Sequence, residues 1–257
     1  MREANNLPVV ITLAVAFRLP MLDILARAAI AVILNVLVYL TNDYLDIDID
    51  LRGGDEPRAH TAYLAANRRG AQLALGLLCV LLCGAGLAHQ RIFDSWVPLI
   101  GAIGGAITVW AYSAWLKRQP VVDVLSMAVA GAFGSLVGIA SAGTLGYRIA
   151  IFLGLVCGSF NAMQVLRDLQ SDTAHGVRTT AVVFGPTVAA LLYRGLMAAA
   201  AIYGVFAVSS WSALVLLAAL PWRINSVSAS RAWDIARIAG ALSWVGLLAE
   251  LYLGRLR

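Results

Sequence analysis

The chain has 257 residues, 61% of them hydrophobic and only 13% charged, and carries a net charge of +5. Soluble domains average about 45–50% apolar and about 25% charged residues, so this composition, with a mean hydropathy of +0.81, excludes an ordinary soluble domain. The basic residues are scattered arginines with no aromatic-and-basic stretch outside the apolar runs, which leaves nucleic acid off the expected partners.

Nine apolar segments succeed one another, at 7–22, 24–41, 71–89, 96–116, 121–141, 146–166, 186–209, 211–222 and 233–253. They predict an all-α, polytopic membrane helical bundle of about nine transmembrane helices, formed as a single domain over residues 1–257. Arg18 and Pro20 interrupt the first segment and the eighth is short, so each fits a re-entrant or interfacial piece as well as a span. Met1-Arg2-Glu3-Ala4-Asn5-Asn6 lacks the charged, apolar and small-residue succession of a cleaved signal, so none is expected. Arg52, Arg58, Arg68, Arg69, Lys117, Arg118, Arg167, Arg178, Arg223 and Arg231 follow the second, fourth, sixth and eighth segments. The opposite loops hold little beyond Arg91 and Arg148, and the positive-inside rule makes the first set cytoplasmic. Cys79, Cys83 and Cys157 sit inside apolar runs with no partner at ligand spacing, which predicts buried small hydrophobes.

Eight of the fourteen acidic residues lie in two stretches on the cytoplasmic side. The first is Asn42-Asp43-Tyr44-Leu45-Asp46-Ile47-Asp48-Ile49-Asp50, followed by Asp55 and Glu56. On a helix Asp43, Asp46 and Asp50 share one face, with Asn42 a turn from Asp46 and Asp48 turned away toward solvent. Three stacked carboxylates repel, and a charge within a span costs about 2.5–3.5 kcal/mol on insertion scales. A hard divalent cation relieves both penalties. The second stretch, Arg167-Asp168-Leu169-Gln170-Ser171-Asp172, repeats the logic with Asp168 and Asp172 at i, i+4. Mg²⁺ takes one or two carboxylates plus phosphate oxygens, so the expected occupant is Mg²⁺ carrying a diphosphate. Arg178 and the hydroxyls of Thr179 and Thr180 are placed to bind phosphate oxygens. Phe184-Gly185-Pro186 predicts a break before the next span. Lys117 is the only lysine of the chain and reads either as a diphosphate contact or as a positive-inside anchor. His60 and His175 fit bases, diphosphate contacts or plain loop residues, whereas His89 falls on the opposite side and reads as structural.

These motifs resemble the UbiA superfamily of intramembrane prenyltransferases. Its N-D-x-x-D-x-x-x-D signature falls on Asn42, Asp43, Asp46 and Asp50. Its D-x-x-x-D signature, with a following Gly, basic residue, Thr and later Gly, falls on Asp168, Asp172, Gly176, Arg178, Thr179 and Gly185. A Tyr-Ser pair with a basic pair beyond it matches Tyr112, Ser113, Lys117 and Arg118. The resemblance implies a bundle around a central cavity with a cytoplasmic cap, in a bacterial inner membrane. It also implies Mg²⁺ held by Asn42, Asp43, Asp46, Asp50, Asp168 and Asp172. Asn42, Arg58, Tyr112, Lys117, Arg118 and Arg178 would bind the diphosphate. Asp43, Asp46, Lys117, Asp168 and Asp172 would carry catalysis. The partners implied are a prenyl diphosphate donor, an aromatic or lipid acceptor, and membrane lipids. A carbocation needs a dry aromatic cavity, and Tyr39, Tyr44, Trp110, Tyr112, Phe133 and Phe160 are candidate wall residues, each also serviceable as packing. The chain departs from the family in placing His60-Thr61 where members that prenylate aromatic acids carry Arg-Pro. That departure keeps open a terpene cyclase, in which the cation is captured intramolecularly. A cation channel would place carboxylates near span centres, where this chain has almost none.

Overall fold

The structure, a computed structural model, describes residues 6–51, 59–140, 143–220 and 229–256. Arg58 and the side chain of Asp50, both expected at the site, lie outside the described residues. Ten α-helices follow in order: α1 Asn6–Ala16, α2 Met21–Asp50, α3 Ala59–Ala66, α4 Arg68–Phe93, α5 Val97–Ala114, α6 Val122–Leu136, α7 Thr144–Arg167, α8 Leu169–Ala174, α9 Thr180–Phe206 and α10 Ala229–Tyr252. Two 3₁₀ pieces, Leu116–Arg118 and Trp211–Ala219, complete the described elements, which include no strand.

Among the described residues every expected apolar segment falls on helical structure, but only α2, α4, α5, α7, α9 and α10 are long and apolar enough to cross a membrane. α1 stops early because Arg18 adopts a left-handed φ of 56° and Pro20 follows. The eighth segment winds as a nine-residue 3₁₀ piece. The fifth yields the short α6, and the carbonyls just beyond it are taken by the distant Arg27.

Lipid tails give helices no apolar incentive to associate, so close backbone approach has to bring them together. A Cβ on Gly101 of α5 would lie 2.7 Å from the Phe133 carbonyl of α6, and one on Gly154 of α7 would lie 2.6 Å from the Ala128 carbonyl of α6. The outer face of α4 shows Leu73, Leu77 and Val80. Cys79 and Cys83 share that exposed face rather than the core, which corrects the expectation of burial. In a membrane helix the lipid face and the core are equally apolar, so composition does not separate them.

The carboxyl ends of α2, α5 and α7 meet the amino ends of α4, α6, α9 and α10 at one end of the bundle. Both acidic stretches come to that end.

Candidate diphosphate and metal site

α2 continues unbroken to Asp50, so Asn42, Asp43 and Asp46 ride on one rigid helix. All three are half-buried, while Asp48 is exposed and pairs with Arg68 of α4. The 3₁₀ turn after α5 sends Lys117 inward and leaves Arg118 exposed. The Lys117 ammonium donates to the Asp46 carboxylate. One turn back, Ser113 Oγ donates to Asn42 Oδ1 at 3.2 Å. The first motif and the Tyr-Ser-Lys patch, 71 residues apart, are therefore one unit.

α7 ends at Arg167, and α8 begins at Leu169 with Asp168, the single residue between them, as its amino-terminal flank. Asp168 accepts from Arg167 Nε at 3.0 Å, and the Arg167 guanidinium lies 5.6 Å from the centre of the Trp233 ring. Asp172 Oδ2 accepts from Thr179 Oγ1 at 3.2 Å. Burial pushes the Asp172 carboxyl up to about 6; the Thr179 hydrogen bond opposes this and the neighbouring Asp168 charge adds to it. Gly176, at φ 66°, makes the turn that returns the chain toward α9. His175 donates from Nδ1 to the Ser171 carbonyl at 2.7 Å, and His175 and Arg178 are both exposed.

Tyr112 of α5, half-buried and next to Ser113, is within electrostatic reach of Asp123 and Asp172 as well as of Asp46. Asp123 and Asn161 are absent from the sequence-derived site, and Thr180, whose hydroxyl was expected on phosphate oxygens, is instead fully buried with that hydroxyl donating to Asp123. The one available signal was that Asp123 is the sole carboxylate between Asp94 and Asp168, opening an otherwise apolar segment. Among the proposed wall residues, Phe160 packs edge-on against Trp233 at 5.7 Å, and Tyr44 accepts from Gln72 at 2.7 Å. Trp110 is exposed and edge-on to Trp115, so it faces out of the bundle.

Every donor atom the two arms offer is a carboxylate or amide oxygen, the set that hard divalent cations select. Among the described residues no three His, Cys, Asp or Glu side chains converge on one point. One or two carboxylates per ion, completed by phosphate oxygens, is the coordination Mg²⁺ habitually takes, so these residues fit a phosphate-bridged Mg²⁺ rather than a closed protein cage.

Fold and site together define an all-helical membrane protein with two acidic arms and a buried lysine at one end. The chain belongs to the UbiA prenyltransferase family, whose family model it matches over residues 6–245. It is 30% identical over 184 residues to a digeranylgeranylglyceryl phosphate synthase of Methanospirillum hungatei, covering 68% of this chain and 62% of that relative's length. It is 28% identical over 225 residues to a 1,4-dihydroxy-2-naphthoate octaprenyltransferase of Mycobacterium tuberculosis, covering 80% and 70%. Among solved structures, a digeranylgeranylglyceryl phosphate synthase superposes with a TM-score of 0.73 at 14% identity, over 97% of this chain and 92% of the other. A UbiA homologue of Archaeoglobus fulgidus bound to GPP and Mg²⁺ gives 0.66 at 19% identity, over 99% and 97%. At these identities the solved structures speak for the fold.

Proposed function

We propose that this chain is a membrane-embedded, Mg²⁺-dependent prenyltransferase that ionises a polyprenyl diphosphate and transfers the prenyl group to an aromatic or lipophilic acceptor. The observation that carries the reading is the Lys117–Asp46 pair, which sets a buried cation beside the first acidic arm. The names of the relatives above, both of them prenyl-transferring enzymes, support it. The loop charges support a site facing the cytoplasm.

Asn42, Asp43 and Asp46 on one arm and Asp168 and Asp172 on the other would hold the metal, with Asp50 extending the first. Bound there, Mg²⁺ would neutralise the charge that builds on the departing diphosphate. Lys117 adds a fixed positive charge at the same place, with Arg118 and Arg178 at the rim. The allylic C–O bond breaks, its electron pair leaves with the diphosphate, and the carbon skeleton becomes a carbocation. The acceptor's nucleophile forms the new bond to carbon and releases a proton. Aromatic faces such as Phe160 and Trp233 shield the cation from water until capture.

The test is to incubate the purified protein in proteoliposomes with prenyl diphosphates of several lengths, with Mg²⁺ or with a chelator, and with or without a bacterial lipid extract. Acceptor mass should rise by one prenyl unit only with Mg²⁺ present. A cyclised hydrocarbon formed without acceptor would replace transfer by cyclisation, and no consumption of any donor would sink the proposal.

A further inference from the structure

Asp123 is fully buried and its carboxylate accepts three hydrogen bonds. Its Oδ2 takes the backbone N–H of Thr180 at 2.7 Å, and its Oδ1 takes the Thr180 hydroxyl and the Val124 N–H, the latter at 2.9 Å. The Thr180 hydroxyl oxygen in turn accepts the Val121 N–H at 2.7 Å. Val121 is a β-branched residue held at φ 71°, a conformation such side chains adopt only when surrounding structure enforces it. Asn161 of α7 donates to the Asp123 backbone carbonyl at 2.9 Å. Three helices, α6, α7 and α9, therefore converge on one residue. Asp123 caps α9 from another helix, where a negative charge also suits the helix dipole.

The neighbours of this knot belong to opposite arms. Lys117, partner of Asp46, sits four residues before Val121; Thr179, partner of Asp172, immediately precedes Thr180. Both carboxylate oxygens of Asp123 are occupied by donors from the protein itself and the residue is fully buried, which suits it to holding structure rather than to meeting substrate. We propose that Asp123 is a positioning residue that fixes the separation of the two acidic arms, so that both reach one Mg²⁺-bound diphosphate. The inference rests on the function proposed above and goes beyond it by naming the part that sets the span.

Asp123→Asn offers one acceptor oxygen where two were used and turns an amide N–H toward the Thr180 N–H. Thr180→Val removes the hydroxyl that links Val121 to Asp123, and Thr180→Ser retains it. The full-length variants are melted in detergent at fixed inorganic pyrophosphate across a Mg²⁺ titration. Outer-shell partners of a metal site typically control affinity about 10–100-fold. Asp123→Asn and Thr180→Val should therefore need at least about tenfold more Mg²⁺ for the half-maximal shift, while Thr180→Ser matches wild type. With a prenyl donor, kcat should fall in the same two variants while the acceptor KM holds. An unchanged Mg²⁺ requirement in both, even with a lower ligand-free melting temperature, overturns the inference and leaves the knot purely structural. If Asp123→Asn does not fold, the Thr180 pair decides alone. A wild type that shows no shift with Mg²⁺ and pyrophosphate sinks the diphosphate reading, and this inference with it.

Discussion

Lys117 and Arg118 are consecutive, yet one is buried against Asp46 and the other exposed. A 3₁₀ turn of about three residues per revolution separates them by roughly a third of a circle, so the anchoring role open to either falls to Arg118. Lys117→Ala should lower kcat by about two to three orders of magnitude at saturating donor and Mg²⁺, in line with the loss of a preorganised charge, while Arg118→Ala changes it little. Near-normal turnover of Lys117→Ala would remove Lys117 from the mechanism. Asp172 supplies a pH test. On the proposed function its carboxyl, raised to about 6, would have to be ionised to bind metal, so protons and Mg²⁺ would compete for it. The apparent Mg²⁺ affinity should be flat above pH 7 and fall about tenfold per unit below about 6; Asp172→Asn should bind weakly with that dependence gone. In the metal-free protein the sign for folding is the reverse of an ion-paired carboxylate. The native state holds the proton more tightly than the unfolded chain, so this group adds stability as pH falls from 7 through about 6 and stops adding below about 4. The two acidic arms and Lys117 were legible because their spacing has meaning along a helix. Asp123 and Asn161 were not, and Thr180 was read as a phosphate contact, because the relation of these three is made only by three helices meeting.

α9 illustrates how far element boundaries follow from local chemistry. Phe184-Gly185-Pro186 predicts a break, and the helix does break there, with Gly185 at φ 83° and ψ 165°. That region is essentially reserved for glycine and costs other residues about 1–3 kcal/mol. A Cβ at Gly185 would touch nothing within 4 Å, so the penalty for Gly185→Ala is backbone strain alone. The melting temperature should drop by about 2–4 °C per kcal/mol. Adding Pro186→Ala restores the missing N–H and permits an unbroken helix, so the double variant should regain stability. It should lose activity all the same, because the straightened α9 carries Thr179 and Thr180 away from Asp172 and Asp123. A double variant as active as wild type would show that the break is dispensable. The end of α6 was not legible, since residues 121–141 are apolar almost throughout. The helix closes where Arg27 of α2 reaches the carbonyls of Val137, Ile139 and Ala140, a partner more than a hundred positions away.

At the scale of the whole molecule, the end opposite the site has its own logic. Three of the arginines there each serve a helix terminus: Arg18 donates to the Tyr252 carbonyl at the close of α10, Arg148 to Ala207 just past α9, and Arg27 to the residues after α6. Carbonyls at helix ends carry partial negative charge and lack intrahelical donors, so these cations are structural and leave the loop-charge asymmetry intact. Arg27 is the extreme case, at 0% exposure, with Asp23 receiving its Nε at 2.7 Å and His89 Nε2 at the same distance. Removing one partner of a buried ion pair costs about 3–5 kcal/mol because a desolvated charge remains. Asp23→Asn should therefore lower the melting temperature by on the order of 10 °C, while the fraction that stays folded keeps wild-type kcat, since the arms are at the other end. Replacing both partners with apolar residues usually restores stability. Here Asp23→Leu with Arg27→Met should remain destabilised, because three carbonyls beyond α6 lose their donor and a buried orphan carries its full desolvation penalty. Full recovery in that double variant would mean the pair matters only as charges; a persistent deficit assigns Arg27 to closing α6.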